Sequence, residues 1–205
     1  MEYYQVASDS YNYSNSFKMW RQEWISKYAL VVPVVVIAFC VILAKYFGWA
    51  KKINKAATMK KGRKSFKEEF LYSTHLIFHP FDGFWDLKHE QRGSVRAALT
   101  FIVLTIVAFA YQSVGCAYLF GSGGSSNLFM QVLSVAIPVL LWVTSNWCLT
   151  TLFEGEGSFK GVFISTGYAL APLPVFIIIS TLLTHILTLQ EAGIVSMLQT
   201  IGYVW

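Results

Sequence analysis

The chain has 205 residues, of which 55% are apolar, 17% aromatic and 13% charged, with a net charge of +5. Soluble domains average about 25% charged residues. This balance excludes a soluble globular domain, a disordered chain and a disulfide scaffold, and leaves an integral membrane protein.

Residues 1–16 are polar, and Lys18, Arg21 and Lys27 follow them. The first apolar run, residues 28–49, has Pro33 near its start and no small-residue cleavage pattern, so it reads as a retained anchor rather than a signal peptide. A bilayer core needs about 20 apolar residues in a helix. Three further runs meet that length, at 97–120, 128–153 and 162–189. A last run, 192–205, has 14 residues and reaches roughly 21 Å as a helix, short of the ~30 Å core. It reads as a half-span or as the start of a helix cut short, and truncation is the preferred reading. Cys40, Cys116 and Cys148 each lie inside an apolar run without metal-ligand spacing, and read as small packing residues.

The distribution of charge sets an expected orientation. Residues 45–96 carry twelve basic and five acidic groups, whereas residues 97–205 carry one lysine and three glutamates. The positive-inside rule then puts 50–96 and the 154–161 loop in the cytoplasm, and the N-terminus, the 121–127 loop and the 190–193 loop outside. The fold expected is an all-α polytopic membrane helix bundle. It has four complete spans, a C-terminal partial span and one or two cytoplasmic interfacial amphipathic helices.

The basic segment begins with KKINKAATMKKGRKSFK. Lys51, Lys52, Lys55, Lys60, Lys61, Arg63 and Lys64 read first as an ordinary topology signal and second as a contact for anionic lipid. Nucleic acid is a poor fit to charge placed beside a span. Residues 65–78 have the period of an amphipathic helix, with Phe66, Phe70, Ile77 and Phe78 on the expected apolar face. In HPFDGFWDLKHE, residues 79–90, Pro80 suits a first helical turn and Asp82 suits its positive end. Phe81, Phe84 and Trp85 are expected on one face, with Asp82, Asp86 and His89 on another. If Trp85 and Phe84 anchor the helix as buried aromatics, Trp85→Ala should cost about 2–4 kcal/mol.

Two strings are too irregular to be explained by hydropathy: HPFDGFWDLKHEQRGS and NWCLTTLFEGEGSFKGVFISTGYALAPLP. With the span between them, they resemble the bacterial branch of the Yip membrane-domain family, the Ypt/Rab-interacting proteins. The resemblance covers about residues 75–205 and is most specific at 79–93 and 146–174. It implies five spanning helices after a cytoplasmic N-terminal part, with no catalytic activity shared across the family. Only three complete spans and a fragment follow residue 96, which is why truncation is expected. Residues 17–70 resemble the anchor and basic linker of longer bacterial relatives, many of which carry an extracytoplasmic repeat region. The expected division is an extracytoplasmic segment at 1–27, the anchor at 28–49, a basic cytoplasmic linker with an amphipathic helix at 50–78 and the Yip-like domain at 79–205. Eukaryotic members act in vesicle traffic with small GTPases. That role does not transfer to a bacterial plasma membrane, whereas membrane-complex scaffolding does.

Chemistry is sparse. His79, Asp82, Asp86 and His89 have the residue types of a metal site, but a polar network holding an interfacial helix is the plainer reading. Glu154 and Glu156 lie in a glycine-rich loop with no phosphate-loop spacing, and Ser158 is placed to cap the next helix. Gln112, Gln131, Asn146 and His185 lie within spans and are expected to bond across helices. Pro138, Pro172 and Pro174 are expected to kink theirs. No cofactor is expected. The leading reading is a non-enzymatic scaffold or accessory protein that docks another membrane protein or organises lipid. Its candidate surface is His79, Asp82, Phe84, Trp85, Asp86, Lys88, His89, Arg92, Glu154, Glu156 and Lys160. The alternative is a structural subunit beside a transporter such as an ABC-type permease.

Overall fold

Apolar runs and the polar segments between and before them form ten α-helices among the described residues, and no strand among them. The computed structural model describes residues 2–29, 31–58, 65–90, 93–121, 127–153 and 157–205. Four stretches are long and apolar enough to cross a membrane: Pro33–Lys55, Val95–Gly115, Leu128–Leu152 and Phe159–Thr184. Each falls on one of the four runs expected from sequence.

The polar N-terminal segment, for which the sequence suggested no helix, forms α1 (Glu2–Val6) and α2 (Ser10–Lys27). Asp9 caps α2 by accepting from Asn12 N–H at 3.1 Å. The anchor helix α3 (Val31–Thr58) is longer than the apolar run and continues through Lys51, Lys52 and Lys55. Lysines suit its last turns because they face the negative end of the helix dipole. A capping box of Ser65 and Glu68 starts α4 (Phe66–Phe78), and Pro80 starts α5 (Pro80–His89).

Ser94 caps α6 (Val95–Gly115), the centre of the bundle, which packs on α7 (Leu128–Leu152), α8 (Phe159–Ala169) and α9 (Leu173–Thr184). Ser158 caps α8 as expected, accepting from Gly161 N–H at 3.1 Å. Pro138 sits inside α7 without ending it. The Pro172–Pro174 pair divides the last full span into α8 and α9, because neither proline can donate to the preceding turn. A 3-10 turn, Leu189–Glu191, then leads into α10 (Ala192–Val204), which lies against α9.

Lipid tails give helices in a membrane no hydrophobic reason to associate, so close packing and hydrogen bonds must do so. The α6–α8 contact illustrates the first. A methyl group added at Gly167 would stand 2.6 Å from Ala98 Cβ and 2.7 Å from its Cα. Tyr72, Leu76, Leu87, Ala97, Ala98, Phe101, Tyr168 and Ala171 form the larger buried cluster, and Ala108, Leu173 and Ile177 a second one. Most of α3 and α7 is exposed and apolar, as lipid-facing helices are.

The two ends of the bundle are held differently. At one end, α2 lies against the turns that join the spans. Arg21 donates to both carboxylate oxygens of Glu191, at 2.7 and 2.9 Å, and to the Ile186 carbonyl at 2.8 Å. The rings of Tyr13 and Tyr118 meet edge to face at 5.1 Å, and Leu189 N–H donates to Ser14 Oγ. At the same end, His185 Nε2 is 2.7 Å from the Gly115 carbonyl, and Ala117 N–H donates to Thr184 Oγ1 at 3.1 Å. His185 and Gln131 thus bond across helices as expected, Gln131 Nε2 donating to the Phe109 carbonyl at 3.5 Å. Asn146 does not. Its amide donates back to the Trp142 carbonyl of its own helix at 2.8 Å, on a helix that exposes most of its surface.

Candidate functional site at the basic end of the bundle

The opposite end gathers the C-terminal turns of α3 with α4, α5 and the first turns of α6 and α8. Its organiser is the inward face of α4. That face is distinct from the apolar face read from the sequence. Glu69, Tyr72, Ser73 and Leu76 are buried, whereas Phe66 and Phe78 are exposed and only Phe70 turns inward, stacked 4.9 Å from Phe101. The buried face carries polar groups that serve as ties.

Those ties converge on two residues. The Tyr168 hydroxyl donates to the Glu69 carbonyl at 2.7 Å, and Ser94 Oγ donates to the Glu69 carboxylate at 2.5 Å. Arg96 Nη2 stands 3.5 Å from the same carboxylate. A buried carboxylate is costly without partners, and these two groups offset that cost. Tyr72 donates to the Gly83 carbonyl at 2.9 Å and lies 3.4 Å from Asp86 Oδ2, fixing α5 against α4. Gly83 suits this close approach, since an added Cβ would stand 3.1 Å from Leu76 Cα. Gly93 sits between Leu87 and Ile164, so that α5 and α8 touch at this end.

Held from behind in this way, α5 presents a defined outer face. Phe81 is 91% exposed and Trp85 58% exposed. The Trp85 ring stacks on His89 at 4.3 Å, and His89 Nδ1 lies 3.0 Å from the Trp85 carbonyl. Asp82, Lys88 and His89 are exposed beside them, as is Lys160 in the first turn of α8. Phe84 instead turns inward with Gly83 and Leu87. The expected single face of Phe81, Phe84 and Trp85 is therefore split, because the inward side of α5 follows residues 80, 83, 84 and 87. Trp85 is not a buried anchor, and the stability cost expected for removing it does not apply.

The suggested metal set does not converge. Asp86 faces Tyr72 and His89 folds back on its own helix. Among the described residues, no group of three or more His, Cys, Asp or Glu could hold an ion. His79 is exposed at the junction of α4 and α5, its ring 5.2 Å from that of His75. Lys51, Lys52 and Lys55 are exposed on the last turns of α3. Arg92, Glu154 and Glu156, with Lys60, Lys61, Arg63 and Lys64, lie outside the described residues.

Sequence reasoning missed Glu69, Tyr72, Ser94 and Tyr168. Ser94 was legible as a cap, since it precedes an apolar run. Tyr168 lies in a quoted string, but nothing local pairs it with a carbonyl 99 residues away.

The family model described as the Yip1 domain matches residues 74–205, from the second half of α4 to the end of α10. No curated protein and no solved structure matches the chain.

Proposed function

The chain belongs to the Yip1 domain family, and from that premise we propose that it is a non-enzymatic scaffold or accessory protein that docks another integral membrane protein on the outer face of α5. It is a multi-pass membrane protein. In this reading it is a bacterial family member in the plasma membrane, with residues 50–96 in the cytoplasm and the N-terminus outside. The anchor and basic linker tether the family domain, and the lysines of α3 face anionic lipid.

One observation carries the docking role. Phe81 and Trp85 stand exposed on a helix whose back is fixed by Tyr72, Leu87 and Gly93, ringed by Asp82, Lys88 and His89. Aromatic anchors inside a mixed-charge rim are the composition of protein interfaces, where a few such residues dominate binding. A rigid support lowers the ordering cost of binding.

A photo-crosslinking amino acid at position 81 in intact membranes tests this. A discrete adduct with one integral membrane protein is expected, and Phe81→Ala with Trp85→Ala should abolish co-purification of that protein without changing the thermal midpoint of the isolated chain. Unchanged co-purification removes the role. A collapsed isolated chain means the face is internal structure.

A further inference from the structure

Between the last turns of α3 and the second half of α4 lies a cavity of about 450 Å3, within the ~300–1,000 Å3 range of small-ligand sites. The two helices run antiparallel here. Asn54 on α3 donates to the Leu71 carbonyl and to Thr74 Oγ1 on α4, at 3.2 and 3.3 Å. Two turns earlier on α3, Phe47 meets Phe78 edge-on at 5.4 Å. The lining is therefore graded. Phe47 and Phe78 close the end nearest the apolar part of α3, Lys51 lies midway, and Asn54 and Lys55 mark the far end. His75 lines it from α4, and His79 from the junction that follows. No carboxylate is among its described lining residues.

From this arrangement we infer that the cavity is a headgroup site for an anionic glycerophospholipid. Lys51 and Lys55 supply positive charge to the phosphate, and His79 adds a ring N–H donor. The paired rings of Phe47 and Phe78 receive the first part of the acyl chains. A free phosphate shares the first half of this chemistry and makes no use of the second. The span Pro33–Lys55 ends at these lysines, which is the depth at which a lipid phosphate lies. The site rests on the reading that the lysines of α3 face anionic lipid and gives that reading a defined pocket; it uses neither Phe81 nor Trp85, so it stands or falls separately from partner docking.

Native mass spectrometry of the full chain in detergent, titrated with short-chain phosphatidylglycerol, phosphatidylcholine or inorganic phosphate, tests it. Phosphatidylglycerol should bind in preference to phosphatidylcholine. Lys51→Gln and Lys55→Gln should each weaken it roughly fivefold, the value of one basic residue near an anionic lipid. His79→Gln should weaken it as well. Lys52→Gln, on the same turns but outside the cavity, should change little. All four positions are exposed, so the variants should retain the parent's thermal midpoint. Equal binding of the two lipids overturns the assignment. So does an equal loss in Lys52→Gln, which would mean diffuse surface charge. Displacement of the lipid by an equal concentration of inorganic phosphate would make it a free-phosphate site and also overturns it.

Discussion

Tyr168 and Glu69, 99 residues apart, are joined by a 2.7 Å hydrogen bond from the phenol to the backbone carbonyl. Both residues are buried, and the Glu69 carboxylate in turn receives Ser94 Oγ beside Arg96. Three helices, α4, α6 and α8, are thus tied at one position. Tyr168→Phe keeps the ring against Phe101 and removes only the donor. A net hydrogen bond is worth about 0.5–1.5 kcal/mol, so the thermal midpoint of the purified chain should fall by a few degrees. Tyr168→Ala also leaves a cavity and should cost about 3–5 kcal/mol, as large aromatic truncations do. A Phe variant as stable as the parent would show that the Tyr168 hydroxyl adds nothing to the hold on α4, leaving it to Ser94, Asn54 and the apolar contacts.

The same substitution should have opposite signs at two helical glycines. Alanine is favoured over glycine within a helix by about 1 kcal/mol. At Gly48 nothing lies within 4 Å of the added methyl, so Gly48→Ala should raise the thermal midpoint slightly. At Gly167 the methyl would meet Ala98 Cα at 2.7 Å and its carbonyl oxygen at 2.8 Å, and backbone atoms cannot swing aside. Gly167→Ala should push α6 from α8 and destabilise the chain by about 1–3 kcal/mol, the usual cost of overpacking. Equal effects at the two sites would mean that α6 and α8 do not approach this closely in the membrane.

The spans were legible because length and apolarity are one-dimensional properties, and 28–49, 97–120, 128–153 and 162–189 each overlap a helix long and apolar enough to cross a membrane. Their ends were less so. The run to 120 continues past Gly115, where α6 stops and His185 reaches its last carbonyl. The faces that α4 and α5 bury in the protein were not legible, for one physical reason. At this end of the bundle, inward positions carry Glu69 and Tyr72 and outward positions carry Phe81 and Trp85, so hydropathy does not mark the side packed on the protein. The docking of α2 was illegible, since a polar helix bonded through Arg21, Ser14 and Lys18 leaves no apolar period.

Charge asymmetry predicts the orientation, and labelling in intact cells checks it. With Cys40, Cys116 and Cys148 replaced, a single cysteine at Ser10 or at Gln190 should react with an impermeant thiol reagent. One at Lys67 or at Lys88 should react only after the membrane is opened. The structure puts Ser10 and Gln190 at one end of the bundle and Lys67 and Lys88 at the other, so the four sites must split as pairs whichever side is outside. Labelling at Lys67 and Lys88 with protection at Ser10 and Gln190 would invert the topology while keeping the fold.

Docking of α2 should depend on pH through Glu191. The Arg21 guanidinium, by hydrogen bonding to the carboxylate, and secondarily the Thr188 N–H hold the Glu191 carboxyl down at about 2. An undocked glutamate titrates near ~4.3. The docked value is the lower of the two, so docking is favoured above the ordinary value and loses that contribution as pH falls from about 5 towards 2. Hydrogen exchange of the α2 amides, corrected for the intrinsic rate, should show protection at pH 7 that declines between pH 5 and pH 3. Arg21→Gln removes the two-pronged contact and should bring the pH 7 protection of α2 down towards its level at pH 3. Arg21→Lys keeps the charge without the planar fork and should fall between the two. Protection of α2 that is the same at pH 3 and pH 7, or unaffected by Arg21→Gln, would show that Tyr13, Ser14 and Tyr118 hold the helix without the ion pair.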